Sequence, residues 1–274
     1  MTDNDAVFTR RGDTWLPTRL ALSPWSPDLI HGGPTGALIA RAVEALKPDP
    51  AFLIARLTID MFRPVPARPL RTAGRLVREG RRIAAAEVSV FDGEVEVTRA
   101  SALMLRTQDV ETHSPHAFGG RALPSPESVP LRSLFSRGRT RDQVPPGFHL
   151  HIEVRAFRDE TAKDGSRAVG AWLRFPYQLF EGEEVTPYLH VAALADFANG
   201  LGNIGAGEGA GFINCDVTLT VHRPPAGEWI CMEVEAGAGP VGVGSNHAIL
   251  SDTTGVFGKV TQSLLLNPRA PGRG

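Results

Sequence analysis

The chain has 274 residues at 29.4 kDa, and 29 lysines and arginines stand against 30 aspartates and glutamates, a formal net charge of −1. That balance removes the electrostatic basis for nucleic acid or an anionic membrane as the main partner, and no uncharged apolar run reaches the roughly 18–20 residues a bilayer span needs. Hydrophobic residues at 42% and charged ones at 22% are ordinary for a soluble globular protein. Two cysteines cannot form a disulfide framework, and the opening stretch MTDNDAVFTRRGDTW lacks the apolar core of a secretory signal. A reducing cytoplasm is therefore the expected setting, and the length admits one large domain or two of about half the chain each.

In chain order, the first predicted element is a helix over 33–46 (GPTGALIARAVEAL), with Pro34 suited to a first turn and Leu38, Ala42, Ala45 and Leu46 forming an apolar stripe. Pro48 and Pro50 stop it, and strands are predicted at 51–62, 70–80, 83–91 and 94–105. Asp92-Gly93 joins the last two as a tight antiparallel hairpin. Residues 107–148 are rich in Pro, Ser, Gly and charge without an apolar period, which predicts a linker between a first unit at 1–106 and a second at 149–274. The second unit repeats the order: strands near 149–157 and 170–175, then a helix capped by Thr186-Pro187 and closed by Gly200 and Gly202. Strands at about 212–222, 229–236, 243–251 and 256–266 complete it.

The two units can be compared by counting. Arg63-Pro64 and Arg223-Pro224 each precede three strand-like runs, and the interval to Ser101 is 38 positions in the first and to Ser263 is 40 in the second. The extra length is expected in the hairpin turn, where Asp92-Gly93 becomes Asp252-Thr-Thr-Gly255. Such an ordered recurrence indicates internal duplication and a pseudo-dimer of two helix-plus-antiparallel-sheet units.

Two copies of one fold need a single working site, so polar residues found in one copy alone are informative. Aligning Ser101 with Ser263 puts Ala100 opposite Gln262, an amide where the other half has a methyl. Asp196 lies nine positions after Pro187, too far inside its helix to cap it, and the same count from His31 reaches Ala40. Its neighbours Ala192, Ala193, Asn199 and Gly200 are small, which lets a ligand or another backbone approach. A buried carboxylate is costly unless paired, so Asp196 is either a functional acid, a solvated side chain or one tied to a buried partner.

The stretch from His31-Gly32-Gly33, through LADFANG (194–200) and INCDVTLTVHRPPAGEW (213–229), to VTQSLLL (260–266) resembles the acyl-CoA thioesterase II branch of the hot-dog thioesterases. The similarity covers most of both halves and not the linker. It implies an α+β double hot-dog, in which two tandem helix-wrapped antiparallel sheets form a pseudo-dimer, and hydrolysis of an acyl-CoA thioester without an acyl-enzyme intermediate. In that family an aspartate on the second helix, a hydroxyl residue on the next strand and a glutamine on the last strand hold the attacking water. The aspartate matches Asp196 and the glutamine Gln262, the two residues the half-to-half comparison had already isolated.

The hydroxyl position falls on Asn214, which can donate through its amide but lacks a single rotatable proton. Thr218, four residues on and expected on the same strand face, is the other candidate, although ~13 Å along the strand. Gly32-Gly33, with His31, would let an acyl carbonyl approach the N-terminus of the first helix, or would only make a tight helix start.

No cofactor is implied beyond the CoA carried by the substrate, and association into a homo-oligomer is expected from the resemblance. Two alternatives stay open: an acyl-thioester binding protein whose site has lost hydrolysis, and a hot-dog hydratase. The latter would want an Asp/His pair, for which only His190 is near in sequence. Two G-x-G-x-x-G matches, at 200–205 and 237–242, lack the strand-then-helix context of a dinucleotide site. There is no G-x-S-x-G elbow or Walker lysine. His149 and His151 are expected to share a strand face, without zinc spacing around them. Arg81, Arg82, Arg137, Arg139 and Arg141 are candidates only for CoA phosphate contacts.

Overall fold

The structure, a computed structural model, describes residues 6–109, 122–132, 146–203 and 210–268. Helix α1 (Gly32–Glu44) starts where His31, in extended conformation, turns its ring nitrogen back onto the Gly33 N–H, and Pro34 occupies the first turn where no N–H is needed. It buries Ala37, Leu38, Ile39, Ala40 and Val43. Four antiparallel strands wrap it: β3 (Phe52–Asp60), β4 (Leu70–Arg78), β5 (Ile83–Asp92) and β6 (Val95–Arg106).

The second half repeats this around α2 (Pro187–Ala195) and α3 (Phe197–Gly202). Its strands are β10 (Ala210–Asn214), β11 (Asp216–Val221), β12 (Ile230–Ala238), β13 (Val243–Asp252) and β14 (Gly255–Pro268). The Thr186 hydroxyl accepts from the Leu189 N–H at 3.1 Å, the N-cap that its sequence position predicts. Strands β1 (Ala6–Arg11), β2 (Thr14–Pro17) and β9 (Gln178–Phe180), outside the predicted set, extend one edge; β7 (Glu153–Thr161) and β8 (Arg167–Arg174) form the other. The sheet runs β7-β8-β12-β13-β14-β11-β3-β6-β5-β4-β2-β1-β9, with β10 against β14, and the halves are fused through the antiparallel β3–β11 pair. This is the double hot-dog α+β architecture.

Register gives the duplication a sharper alignment than counting did. Thr58 faces Ser101 as Thr218 faces Thr261, and Val90 faces Thr98 as Leu250 faces Gly258. Every equivalent pair, with Asp92 and Asp252, is 160 positions apart. Both hairpins close with two residues, Gly93-Glu94 and Thr253-Thr254, so the expected difference in turn length is absent. Gln262 therefore stands opposite Ala102, not Ala100. The contrast survives because a slip of two residues along a strand returns to the same face.

The segment expected as a linker touches both halves where it is described. The Pro124 carbonyl accepts from the Trp172 indole at 2.9 Å, Arg132 bridges to Val154, and Phe148 donates its N–H to the Leu22 carbonyl at 3.0 Å. Arg137, Arg139 and Arg141 lie outside the described residues.

Candidate active site

The two long helices run antiparallel. At one end the α1 N-cap, His31, meets Asp196, and at the other Glu44 accepts from the Thr186 hydroxyl that caps α2. Small residues allow this approach. A Cβ on Gly32 would fall on the Asp196 carboxylate, one on Gly33 on the Ala193 carbonyl oxygen, and one on Gly36 would lie 2.7 Å from the Ala192 carbonyl oxygen. The two glycines of the His-Gly-Gly run thus have a packing role, bringing the N-terminus of α1 onto a carboxylate that its exposed N–H groups favour.

Asp196 sits at the junction of α2 and α3, and of the alternatives for this residue the structure shows the paired one, largely buried with its side chain 12% exposed. Its Oδ2 lies 3.0 Å from His31 Nδ1, and its Oδ1 accepts from the Asn214 amide at 2.8 Å. Burial pushes the Asp196 pKa up, but the His31 charge and hydrogen bond, the Asn214 amide and the Gly33 N–H outweigh it and hold the carboxyl below its ordinary value. A carboxylate with that environment stays ionised through the neutral range. The His31 ring is clamped by Phe197, stacked with centroids 4.9 Å apart, and by Phe148 at 5.6 Å and His149 at 6.2 Å. Phe148 and His149 come from a 3₁₀ turn, not a strand, and His149 and His151 diverge: His151 packs edge-on against Tyr177.

Asn214 is the last residue of β10. Its Oδ1 accepts from Asn199 Nδ2 at 3.4 Å, and Asn199 also donates to the Phe212 carbonyl at 3.3 Å, tying α3 to the strand. After it the strand is interrupted at Cys215, and the buried alternation passes from Phe212 to Val217, Leu219 and Val221. That odd step reverses the phase. Thr218 consequently points to the opposite face, where its hydroxyl donates to Thr58 Oγ1 at 3.2 Å, and it does not join Asn214. The same step interrupts β3 between Ile54 and Arg56, so the break is a duplicated feature.

Gln262 is buried on β14, on the inner face, two residues before Leu264, the register partner of Asn214. That makes it a diagonal neighbour of Asn214, at the ~7–8 Å spacing of such pairs. Its Oε1 accepts from Asn246 Nδ2 at 2.7 Å. Asp196 and Asn214 are thus in contact, and register puts Gln262 diagonal to Asn214, while His190 faces elsewhere: its Nε2 accepts from the Phe175 N–H at 3.1 Å, and burial pushes its pKa down to about 4. The acid's histidine partner is His31, from the other half of the chain. Sequence spacing had offered no signal for this Asp/His pair, because 165 positions separate the two residues.

Among the described residues no cluster of three His, Cys, Asp or Glu is placed to hold a metal ion, and no helix is long and apolar enough to cross a membrane. A cavity of about 560 Å³ lined by Arg158, Arg167, Glu235 and His247 shares no residue with the Asp196 cluster.

This fold and cluster define a tandem hot-dog protein of the thioesterase class. Residues 21–105 match the acyl-CoA thioesterase N-terminal domain and residues 111–266 the acyl-CoA thioesterase C-terminal domain. The chain belongs to the acyl-CoA thioesterase family. Among solved structures it is similar to the tesB protein of Mycobacterium avium subsp. paratuberculosis (17% identity, TM-score 0.65, covering 95% of this chain and 96% of that one). It is also similar to a hot-dog protein of unknown function from Alicyclobacillus acidocaldarius (16%, 0.72, 98% of each). A third is an acyl-CoA thioesterase II from Mycobacterium marinum (18%, 0.62, 87% and 91%). At these identities the likeness establishes the fold. No curated protein matches the chain.

Proposed function

We propose that the protein hydrolyses an acyl-CoA thioester to the free acid and CoA by attack of a water molecule, with Asp196 as general base. The observation that carries this reading is the convergence of a largely buried, ionised Asp196 with His31 and Asn214 in a chain of the acyl-CoA thioesterase family. Asp196 accepts a proton from water as the oxygen adds to the thioester carbonyl. The tetrahedral adduct then expels the thiolate as the C–S bond breaks, and the thiolate takes up the proton held by Asp196, which restores the carboxylate. General-base assistance of this kind contributes about 10²–10⁴ in rate.

The low pKa has two consequences for such a base. Asp196 is always in its acceptor form at neutral pH, and it is intrinsically weak, so positioning by its partners must carry much of the effect. Asn214 fixes one carboxylate oxygen, leaving the other to His31. An amide in place of a hydroxyl supplies that bond without a rotatable proton. The His31–Asp196 pair also supplies what hydration of a double bond would require, so that alternative is decided by assay and not by the absence of a histidine. Further association of chains is expected, and a light-scattering mass equal to one chain would refute it.

The deciding experiment is thiol release from acetyl-, octanoyl- and palmitoyl-CoA, run beside enoyl-CoA hydration and direct CoA-ester binding. Hydrolysis of any of the esters supports the assignment. Tight binding with no thiol released would instead assign a non-hydrolytic binder, and hydration without hydrolysis would assign a hydratase.

A further inference from the structure

Asn199, read in the sequence only as a small neighbour of Asp196, closes a ring of hydrogen bonds around the acid. It lies one helical turn after Asp196, whose main-chain carbonyl accepts its N–H at 3.3 Å. Its side-chain amide donates to the Phe212 carbonyl at 3.3 Å and to Asn214 Oδ1 at 3.4 Å, and Asn214 Nδ2 donates in turn to Asp196 Oδ1 at 2.8 Å. The two ends of this run set the direction of every bond in it. A carboxylate and a peptide carbonyl accept and cannot donate, so Asn214 must turn its nitrogen to Asp196, and Asn199 its nitrogen to Phe212. Turned the other way, either amide would set oxygen against oxygen.

Resting on the hydrolase reading above, we infer that Asn199 is a positioning residue that holds the Asn214 amide in the orientation from which it donates to Asp196. The amide at position 214 makes such a partner necessary. A hydroxyl swings its single proton onto a carboxylate unaided, whereas a carboxamide carries a donor edge and an acceptor edge, and its oxygen needs a donor of its own. Among the described residues Asn199 supplies that donor, and the other contact of the Asn214 nitrogen is the weakly accepting Met61 sulfur at 3.8 Å. Asn199 is itself held from two sides, by its place in α3 and by the Phe212 carbonyl on the strand that carries Asn214. Without it the Asn214 side chain is free to leave Asp196 Oδ1, and the acid loses the bond that holds one of its oxygens in place.

The test uses Asn199→Ala and Asn199→Asp in the full chain, assayed by thiol release with the best of the three acyl-CoAs. Alanine removes the donor and should lower kcat by about tenfold with KM little changed, less than the cost of an acid displaced by an ångström. Aspartate keeps the size of the side chain but can only accept, so Asn214 must turn its nitrogen toward it and its oxygen onto Asp196. The expected fall in kcat is then about 10². A packing role alone would lower the melting temperature of the alanine variant while leaving kcat per folded molecule at the wild-type value in both, and that result would overturn the inference.

Should Asn199→Asp fail to fold, the alanine substitution is compared in wild-type and Asn214→Thr backgrounds. A threonine hydroxyl finds the Asp196 carboxylate without help, so loss of Asn199 should cost far less there than beside the native amide. Equal falls in both backgrounds would show that Asn199 does not act through Asn214 and would overturn the inference. An active wild type with unaffected variants sinks only this inference, whereas a wild type inert toward every acyl-CoA sinks the hydrolase reading and this one with it.

Discussion

His31 Nδ1 lies 3.0 Å from the Asp196 carboxylate and 3.1 Å from the Gly33 amide nitrogen, so one ring nitrogen joins the acid to the first turn of α1. It cannot serve both as donor and acceptor. With a proton on Nδ1 the ring donates to Asp196, and the Gly33 N–H turns to the carboxylate. Without it, Nδ1 accepts from Gly33, and Asp196 keeps the Asn214 amide as its donor. Which of the two partners Nδ1 engages therefore also decides which donors the Asp196 carboxylate keeps.

Replacing Asp196 with Asn retains the size of the side chain and removes the proton acceptor. Thiol release should fall by about 10²–10⁴, with the far-ultraviolet circular dichroism spectrum unchanged. Wild-type turnover in this variant would remove Asp196 from the mechanism.

Asn214→Ala removes one of the bonds that hold the Asp196 pKa down, and burial, which pushes it up, remains. The acid limb of the kcat/KM profile should move to higher pH, because a carboxylate with a raised pKa becomes protonated sooner as pH falls. Unchanged profiles for wild type and variant would show that the titrating group in the profile is not Asp196.

Gly32→Ala places a methyl group on the Asp196 carboxylate. Overpacking of this kind costs about 1–3 kcal/mol, and displacing the acid by an ångström costs about 10²-fold in rate. Urea denaturation and thiol release together check this, with activity expected to suffer more than stability. An active variant would mean the acid tolerates displacement from the helix terminus.

Far from this site, Asp252 holds the Arg223 guanidinium through two bonds of 2.7 and 2.8 Å. Burial pushes its pKa up, but Arg223, the Thr254 hydroxyl and the Ala226 and Thr254 N–H groups bring it down to about 2. An unfolded aspartate titrates near 3.9, so the contribution, about 2 kcal/mol, is full above about pH 5 and is lost as pH falls through about 2. Asp252→Asn should be less stable than wild type at pH 7, and the gap should narrow by pH 3. A gap independent of pH would place the cost in packing, not charge.

Much of the fold was legible because it rests on local periodicity. The helix of 33–46, the strands of both halves and the Thr186 cap follow from apolar spacing and from side chains that satisfy helix ends. What escaped were the short edge strands β1, β2 and β9, whose pairing with distant partners stabilises segments too brief to show a period. Phe148 and His149 escaped for a related reason: a Pro- and Gly-rich context hides residues that become buried against His31 only after the chain has crossed between the halves.

Gln262 and Asp196 stood out in the sequence because duplication leaves a comparison inside the chain, and the strand period of two absorbed an alignment error of two residues. Thr218 shows the limit of that reasoning, since a single-residue break at Cys215 reverses every later side chain and only strand register reveals it. The sequence by itself determined the repeated helix-and-sheet pattern and the polar residues peculiar to the second copy. The tertiary structure decided their partners: His31 for Asp196 and Asn246 for Gln262. Such pairings depend on helix approach and strand register, which no local periodicity encodes.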